Sequence, residues 1–178
     1  MNKIEKKTDR YCNIIKKIRK YANMITDYCY SNSDARYMSL AIEEASKSPI
    51  SFQLGCIAVV SGKIVARGCN NYRTYSKDGM IGNTCSCHAE VDVLRKCLKK
   101  NITKKINIYI VRISNAGELM CSAPCIDCFL KMKEFNIRSI IYVDHSGNTV
   151  KRNFDDFHTS HRSSGNKAIH AKRVKMCK

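Results

Sequence analysis

HAEVDVLRKCLK at residues 88–99 and PCIDCFLKM at residues 124–132 decide how this chain is organised. In each stretch, side chains able to bind a metal stand at the front and an apolar stripe follows. In the first, Ala89, Val91, Leu94, Cys97 and Leu98 recur at helical intervals, which predicts a helix from His88 to about Lys99 with His88 and Glu90 in its first turn. In the second, Pro124 suits the first helical position, ahead of Cys125, Cys128, Phe129, Met132 and Phe135. Two helix amino ends then face one point. Their unpaired N–H groups favour negative charge and help to keep Cys125 and Cys128 ionised.

A catalytic zinc ordinarily has three protein ligands and an open position, whereas a structural zinc is closed by four. His88, Cys125 and Cys128 make three. Glu90 is not needed as a ligand and is left for proton transfer. Zinc lowers the pKa of bound water from about 15.7 towards about 7, and a carboxylate two residues from a ligand can take the water proton and pass it on. A redox dithiol has no use for His88 and Glu90 some 37 positions upstream of Cys125. A zinc ribbon would want a second C-x-x-C, and Cys85-Ser86-Cys87 has the wrong spacing. Cys87 and Cys121 are close enough in sequence to compete for the metal; both are expected to be buried free thiols.

The order H-x-E … P-C-x-x-C resembles the cytidine and deoxycytidylate deaminase superfamily, over roughly Asp34 to Phe157. The resemblance implies a zinc cofactor and hydrolytic conversion of cytosine to uracil with release of ammonia. The substrate would be a nucleoside or nucleotide, with Glu90 moving protons to the ring nitrogen and the departing amine. It also implies a three-layer αβα sandwich around a central mixed sheet of five strands. Gly68-Cys69-Asn70 resembles the family's G-x-N, which makes Asn70 a sugar contact; the alternative is that Asn70 simply forms a turn. The backbone of Ala89 would hold the base edge. Phe52, Tyr72, Tyr75 and Tyr142 are candidate aromatic lids over a flat base, and of these Tyr142 is the candidate substrate contact. Superfamily members commonly form dimers or tetramers, so the resemblance extends to a homo-oligomer.

The residues between the motifs fit an α/β order. Ser33 or Asp34 can cap a helix whose Met38, Ala41, Ile42 and Ala45 form one face, ending before Pro49. Gly55 to Val60 and Lys63 to Gly68 read as strands joined by Ser61-Gly62, a two-residue hairpin. Ile106 to Ile113 and Ser139 to Val143 are further strands. Gly147 turns the last of these into Thr149-Val150-Lys151, so the fifth strand runs antiparallel to the fourth. That connection resembles the free-cytidine branch, whereas free-cytidine enzymes generally carry cysteine where this chain has His88. The two signs oppose each other and leave substrate size open.

With 178 residues, 44% hydrophobic and two prolines, the chain has room for one domain with a proper core. It has no 18-residue apolar run and no apolar segment at Met1-Asn-Lys-Ile-Glu-Lys-Lys7, so a soluble, intracellular, cytoplasmic protein without membrane contact is expected. Eleven cysteines are an odd count, and the expectation is reduced thiols. The net charge of +17 is uneven. Residues 1–33 carry eight basic and three acidic side chains, residues 34–157 carry eighteen and twelve, and residues 158–178 carry six and none. This divides the chain into a basic helical extension (1–33), a deaminase domain (34–157) and a basic tail (158–178), flexible at least beyond Gly165. In the extension, Ile14, Ile15, Ile18, Tyr21, Ala22 and Ile25 form a helical stripe opposite Lys16, Lys17, Arg19 and Lys20. The basic ends either hold single-stranded nucleic acid or are solvated lysines of a Lys-, Ile- and Asn-rich composition. Three functional classes follow: a nucleoside or nucleotide deaminase, a deaminase editing cytosine or adenine in a polynucleotide, and a non-enzymatic zinc-stabilised relative. Intact Glu90 argues against the third.

Overall fold

In the computed structural model, which describes residues 31–82 and 84–174, Ser31 has extended backbone and its Oγ accepts the Asp34 N–H at 3.1 Å. Ser31 thereby caps helix α1 (Asn32–Ala45), ahead of the Ser33 or Asp34 expected from sequence. Asp34 is buried instead. Its Oδ1 accepts the Tyr109 hydroxyl at 2.7 Å and its Oδ2 lies 3.1 Å from Lys151 Nζ. Met38, Ala41, Ile42 and Ala45 form the inner face of α1, each at most 1% exposed. The helix expected over residues 14–25 lies outside the described residues.

The strands β1 (Gln53–Val60) and β2 (Lys63–Cys69) form the expected hairpin, with Val60 paired to Lys63. Ser61 and Gly62 both have positive φ, 48° and 75°, the backbone of a type I′ turn, whose twist matches that of the strands. Strands β3 (Ile106–Ile113), β4 (Leu119–Met120), β5 (Ile137–Val143) and β6 (Thr149–Asn153) complete the sheet. Its order is β2-β1-β3-β5-β6, with β4 paired antiparallel to the end of β3. Among the described residues only the β3–β5 pair is parallel, and β6 returns antiparallel on β5 as the Gly147 turn predicts. The sheet has six strands among the described residues, not five. The extra one, β4, is two residues long and carries no alternation to read.

Helix α1 covers one face of the sheet; α2 (Ala89–Lys99) and α3 (Ile126–Met132) lie on the other. Successive residues of β1 serve the two sides: Ile57 and Val59 pack with α1, while Cys56 and Ala58 pack with Val93, Leu94 and Cys97 of α2. A sheet covered on both faces needs continuous apolar strands, which is why β1, β3 and β5 are Ile- and Val-rich rather than alternating. Gly55 lets α1 close on β1: a Cβ there would stand 2.0 Å from Ala41 O and 2.4 Å from Ala45 N. The result is the αβα sandwich expected. Beyond β6 the stretch read as a tail carries a helix, α4 (Ser164–His170), capped by Ser163. No described helix is long and apolar enough to cross a membrane.

Candidate active site

His88 and Cys125 occupy the same position in their helices. Each is the N-cap, with extended backbone and no side-chain capping bond, so each side chain is free for another partner. Pro124 therefore precedes the cap rather than opening the helix. The stripe of α2 is buried at Ala89, Val91, Leu94 and Cys97, while Leu98 is 44% exposed and Val93 takes its place in the core. One turn into α3, Cys128 is 1% exposed and turns its sulfur towards the other two groups.

The three donor atoms lie within 4.8 Å of one another. His88 Nδ1 is 3.2 Å from Cys128 Sγ and 3.5 Å from Cys125 Sγ. Around a tetrahedral zinc, bonds of about 2.0–2.1 Å to nitrogen and about 2.3 Å to sulfur put neighbouring ligand atoms about 3.6–3.8 Å apart. The observed spacings fall just inside that, and one nitrogen with two sulfurs is a donor set suited to zinc. Cys125 is held down to about 4 by a hydrogen bond from the Cys128 thiol, against its own burial and with help from His88. The same contact, with burial, pushes Cys128 up, so of the two sulfurs it is Cys125 whose negative charge the surroundings favour. Burial opposes the His88 imidazolium, but the Cys125 sulfur and the Glu90 charge outweigh it and bring the ring up to about 9.

Glu90, in the first turn of α2, is 2% exposed, and its Oε2 has no hydrogen-bond partner among the described residues. A buried carboxylate oxygen without a partner is costly and calls for a reason, and beside a three-donor group the handling of a ligand or a proton supplies one. Burial raises the Glu90 pKa, with the His88 charge pulling the other way. Cys87 is buried as expected, and burial pushes its thiol up to about 12. It stands outside the three-donor group, as does Cys121, which is half-buried rather than buried.

A cavity of about 230 Å³ opens over this group, with His88 and Cys128 in its lining. The other candidate contacts, Asn70, Ala89 and Tyr142, are not among its lining residues. Ala89 is fully buried at the start of α2. Asn70 is buried at the end of β2, where Oδ1 accepts the Leu54 N–H at 2.9 Å and Nδ2 donates to Phe52 O at 2.8 Å. Tyr142 stands on β5 with its ring 5.7 Å edge-on from Phe157, which in turn meets Phe129 of α3 at 5.5 Å. It does not line the cavity. Phe52, Tyr72 and Tyr75 are more than half exposed and do not line it either.

The cavity wall also contains residues the motifs did not single out: Met80 and Ile81, Asp127 and Lys131, and Asn166 of α4. Asp127 lies inside the C-x-x-C and Lys131 one turn after Cys128, so spacing along α3 contained the signal for both. Nothing in the sequence signalled Asn166, which arrives from 38 residues beyond Cys128.

The sequence match names the class. A family described as "Cytidine and deoxycytidylate deaminase zinc-binding region" matches residues 31–144. No curated protein matches the chain. Among solved structures, it is similar to the dCMP deaminase of cyanophage S-TIM5 in complex with dCMP and dUMP, at 20% identity over 64% of this chain and 82% of that one, with a TM-score of 0.47. It is also similar to the cytidine deaminase of Burkholderia pseudomallei, at 21% identity over 67% and 91%, TM-score 0.47. The cytidine deaminase of Mycobacterium tuberculosis gives 21% over 67% and 88%, TM-score 0.43. With the matched region spanning both metal-bearing helices and well over half its length, the chain belongs to the zinc-binding cytidine and deoxycytidylate deaminase family.

Proposed function

We propose that this protein hydrolyses the bond between C4 of cytosine and its exocyclic nitrogen in a nucleoside or nucleotide, giving uracil and ammonia. The observation that carries it is the unpartnered, buried Oε2 of Glu90 beside a three-donor metal group. His88, Cys125 and Cys128 hold the zinc, which when bound supplies a Lewis acid and a water of lowered pKa. Glu90 takes one proton from the attacking water and gives it to the ring nitrogen, then takes the remaining proton from the hydroxyl left on C4 and gives it to the amine as the C4–N bond breaks and the carbonyl forms. Burial suits the carboxylate to both halves of that task, because raising its pKa brings proton uptake and release closer in energy.

The backbone of Ala89 holds the base edge at the start of α2. Asn70, with one amide N–H and one oxygen lone pair already fixed on residues 52 and 54, has one of each left for the sugar. Tyr142 acts at one remove, propping α3 through Phe157. Editing of a polynucleotide is the second reading, supported by the position of α4, part of the basic C-terminal stretch, at the cavity.

Zinc-loaded protein incubated with cytidine, deoxycytidine, their monophosphates, adenosine and short single-stranded oligonucleotides separates these readings by ammonia release. Turnover of a cytosine nucleoside or monophosphate is the expected result. Activity confined to oligonucleotides moves the assignment to editing, and no activity on any of them contradicts both.

A further inference from the structure

The C-terminal stretch is fastened to the amino end of α3 itself. The Ile126 N–H, between the two cysteine ligands, donates to His161 O at 2.8 Å. Next to it, Asp127 Oδ2 accepts a hydrogen bond from Asn166 Nδ2. Ser163 Oγ accepts the Asn166 N–H at 3.3 Å and so fixes where α4 begins. Gly165 fits so closely that an added Cβ would stand 3.2 Å from Cys85 Cβ. These contacts set Asn166 in the wall of the cavity that His88 and Cys128 also line, although the family match ends at residue 144.

A carboxamide offers two N–H donors and an oxygen with two lone pairs. Asp127 uses one donor of Asn166, and among the described residues no other hydrogen bond of this side chain is made. The second N–H and Oδ1 are left for a ligand. Cys128 is 1% exposed and forms the floor of the site, whereas α4 has no buried residue and forms its rim. A reacting base must reach the floor, so the rim meets what projects from the base, the sugar.

Resting on the deaminase reading above, we propose that Asn166 is a substrate-binding residue, held in place by Asp127 and bonding a sugar hydroxyl of the nucleoside. Asp127 is then a positioning residue. The C-terminal stretch becomes part of the site rather than an appendage to it.

The test uses the full, zinc-loaded chain and whichever of cytidine and deoxycytidylate it turns over, with product binding measured by titration calorimetry. Asn166→Ala and Asp127→Ala should each raise KM and the product Kd about tenfold while kcat stays within about twofold, the loss of one hydrogen bond felt equally by ground and transition states. Because the two residues act as a unit, the double variant should be no worse than about tenfold. Gly165→Ala, which shifts α4 without removing a polar group, should raise both constants by about two- to threefold and guards against misfolding of the other variants. Unchanged KM and Kd in Asn166→Ala, with or without a lowered melting temperature, overturn the proposal while leaving the deaminase assignment standing. A parent protein that neither binds nor turns over nucleosides sinks that assignment, and this inference with it.

Discussion

Arg95 grips Asp78 along the edge of its guanidinium. Nε lies 3.0 Å from Oδ1 and 2.8 Å from Oδ2, and Nη2 lies 2.8 Å from Oδ2. Arg95 belongs to α2, the helix that His88 caps, while Asp78 sits in the loop leading to Met80 and Ile81 in the cavity wall. The same carboxylate accepts the Ser76 hydroxyl at 2.5 Å and the Met80 N–H at 3.2 Å. One helix therefore places a candidate metal ligand and anchors a loop of the cavity wall. The Arg95 interaction holds Asp78 far below the usual carboxylate range.

Breaking this pair should loosen the cavity wall. Arg95→Met leaves Asp78 without its charge partner and is expected to cost about 2–3 kcal/mol, less than the roughly 3–5 of a fully buried pair because Asp78 keeps some contact with water. Urea unfolding reads the stability, and KM should rise with it. An unchanged unfolding midpoint would show that the pair contributes nothing.

Gly55→Ala should be among the most damaging single substitutions. The new Cβ meets backbone atoms of α1 at 2.0 and 2.4 Å, and backbone cannot swing aside as a side chain would. A loss of about 3 kcal/mol or more is expected from denaturant titration. A near-neutral change would mean that α1 does not pack on β1 at this distance.

Asp34 makes stability depend on acid. Burial pushes its carboxyl up, but bonds from Tyr109, Lys151 and Ser31 outweigh this and hold the pKa below its ordinary value. Folding therefore favours the ionised form, and its contribution is complete above the unfolded pKa of about 4 and is lost as pH falls below that through the lower folded value. Asp34→Asn should flatten the fall in melting temperature between about pH 5 and pH 3. Parallel curves for the two proteins would contradict the assigned bonds.

Metal content should follow the three donors and no other cysteine. His88→Ala, Cys125→Ser and Cys128→Ser are each expected to drop bound zinc from about one per chain towards zero, and a chelator should lower the melting temperature of the parent. Cys87→Ser and Cys121→Ser should keep the metal. Elemental analysis of purified proteins decides the matter, and zinc lost on changing Cys87 would mean a fourth protein ligand.

How far the sequence could be read depended on what each signal rests on. His88, Cys125 and Cys128 come together because each stands at or near the amino end of a helix, and helical spacing is local. The hairpin at Ser61-Gly62 and the return of β6 were legible for the same reason: a short turn fixes its own partners. Strand β4 was not, since two residues have no period. Val93 rather than Leu98 enters the core because the last turn of α2 is open to solvent, with Lys96 and Lys99 exposed beside Leu98, a fact of tertiary packing. Asn166 lay beyond reach altogether, since its place depends on a fold-back of the chain that no local pattern encodes.

Glu90 carries the proton chemistry proposed for this site. Glu90→Gln keeps the size of the side chain and leaves the three metal donors untouched, so the variant should bind zinc like the parent. Its rate of ammonia release from the preferred cytosine substrate should fall by about 10²–10⁴-fold, the range expected when a positioned proton carrier is removed. A zinc-loaded Glu90→Gln protein as fast as the parent would contradict the role given to this carboxylate.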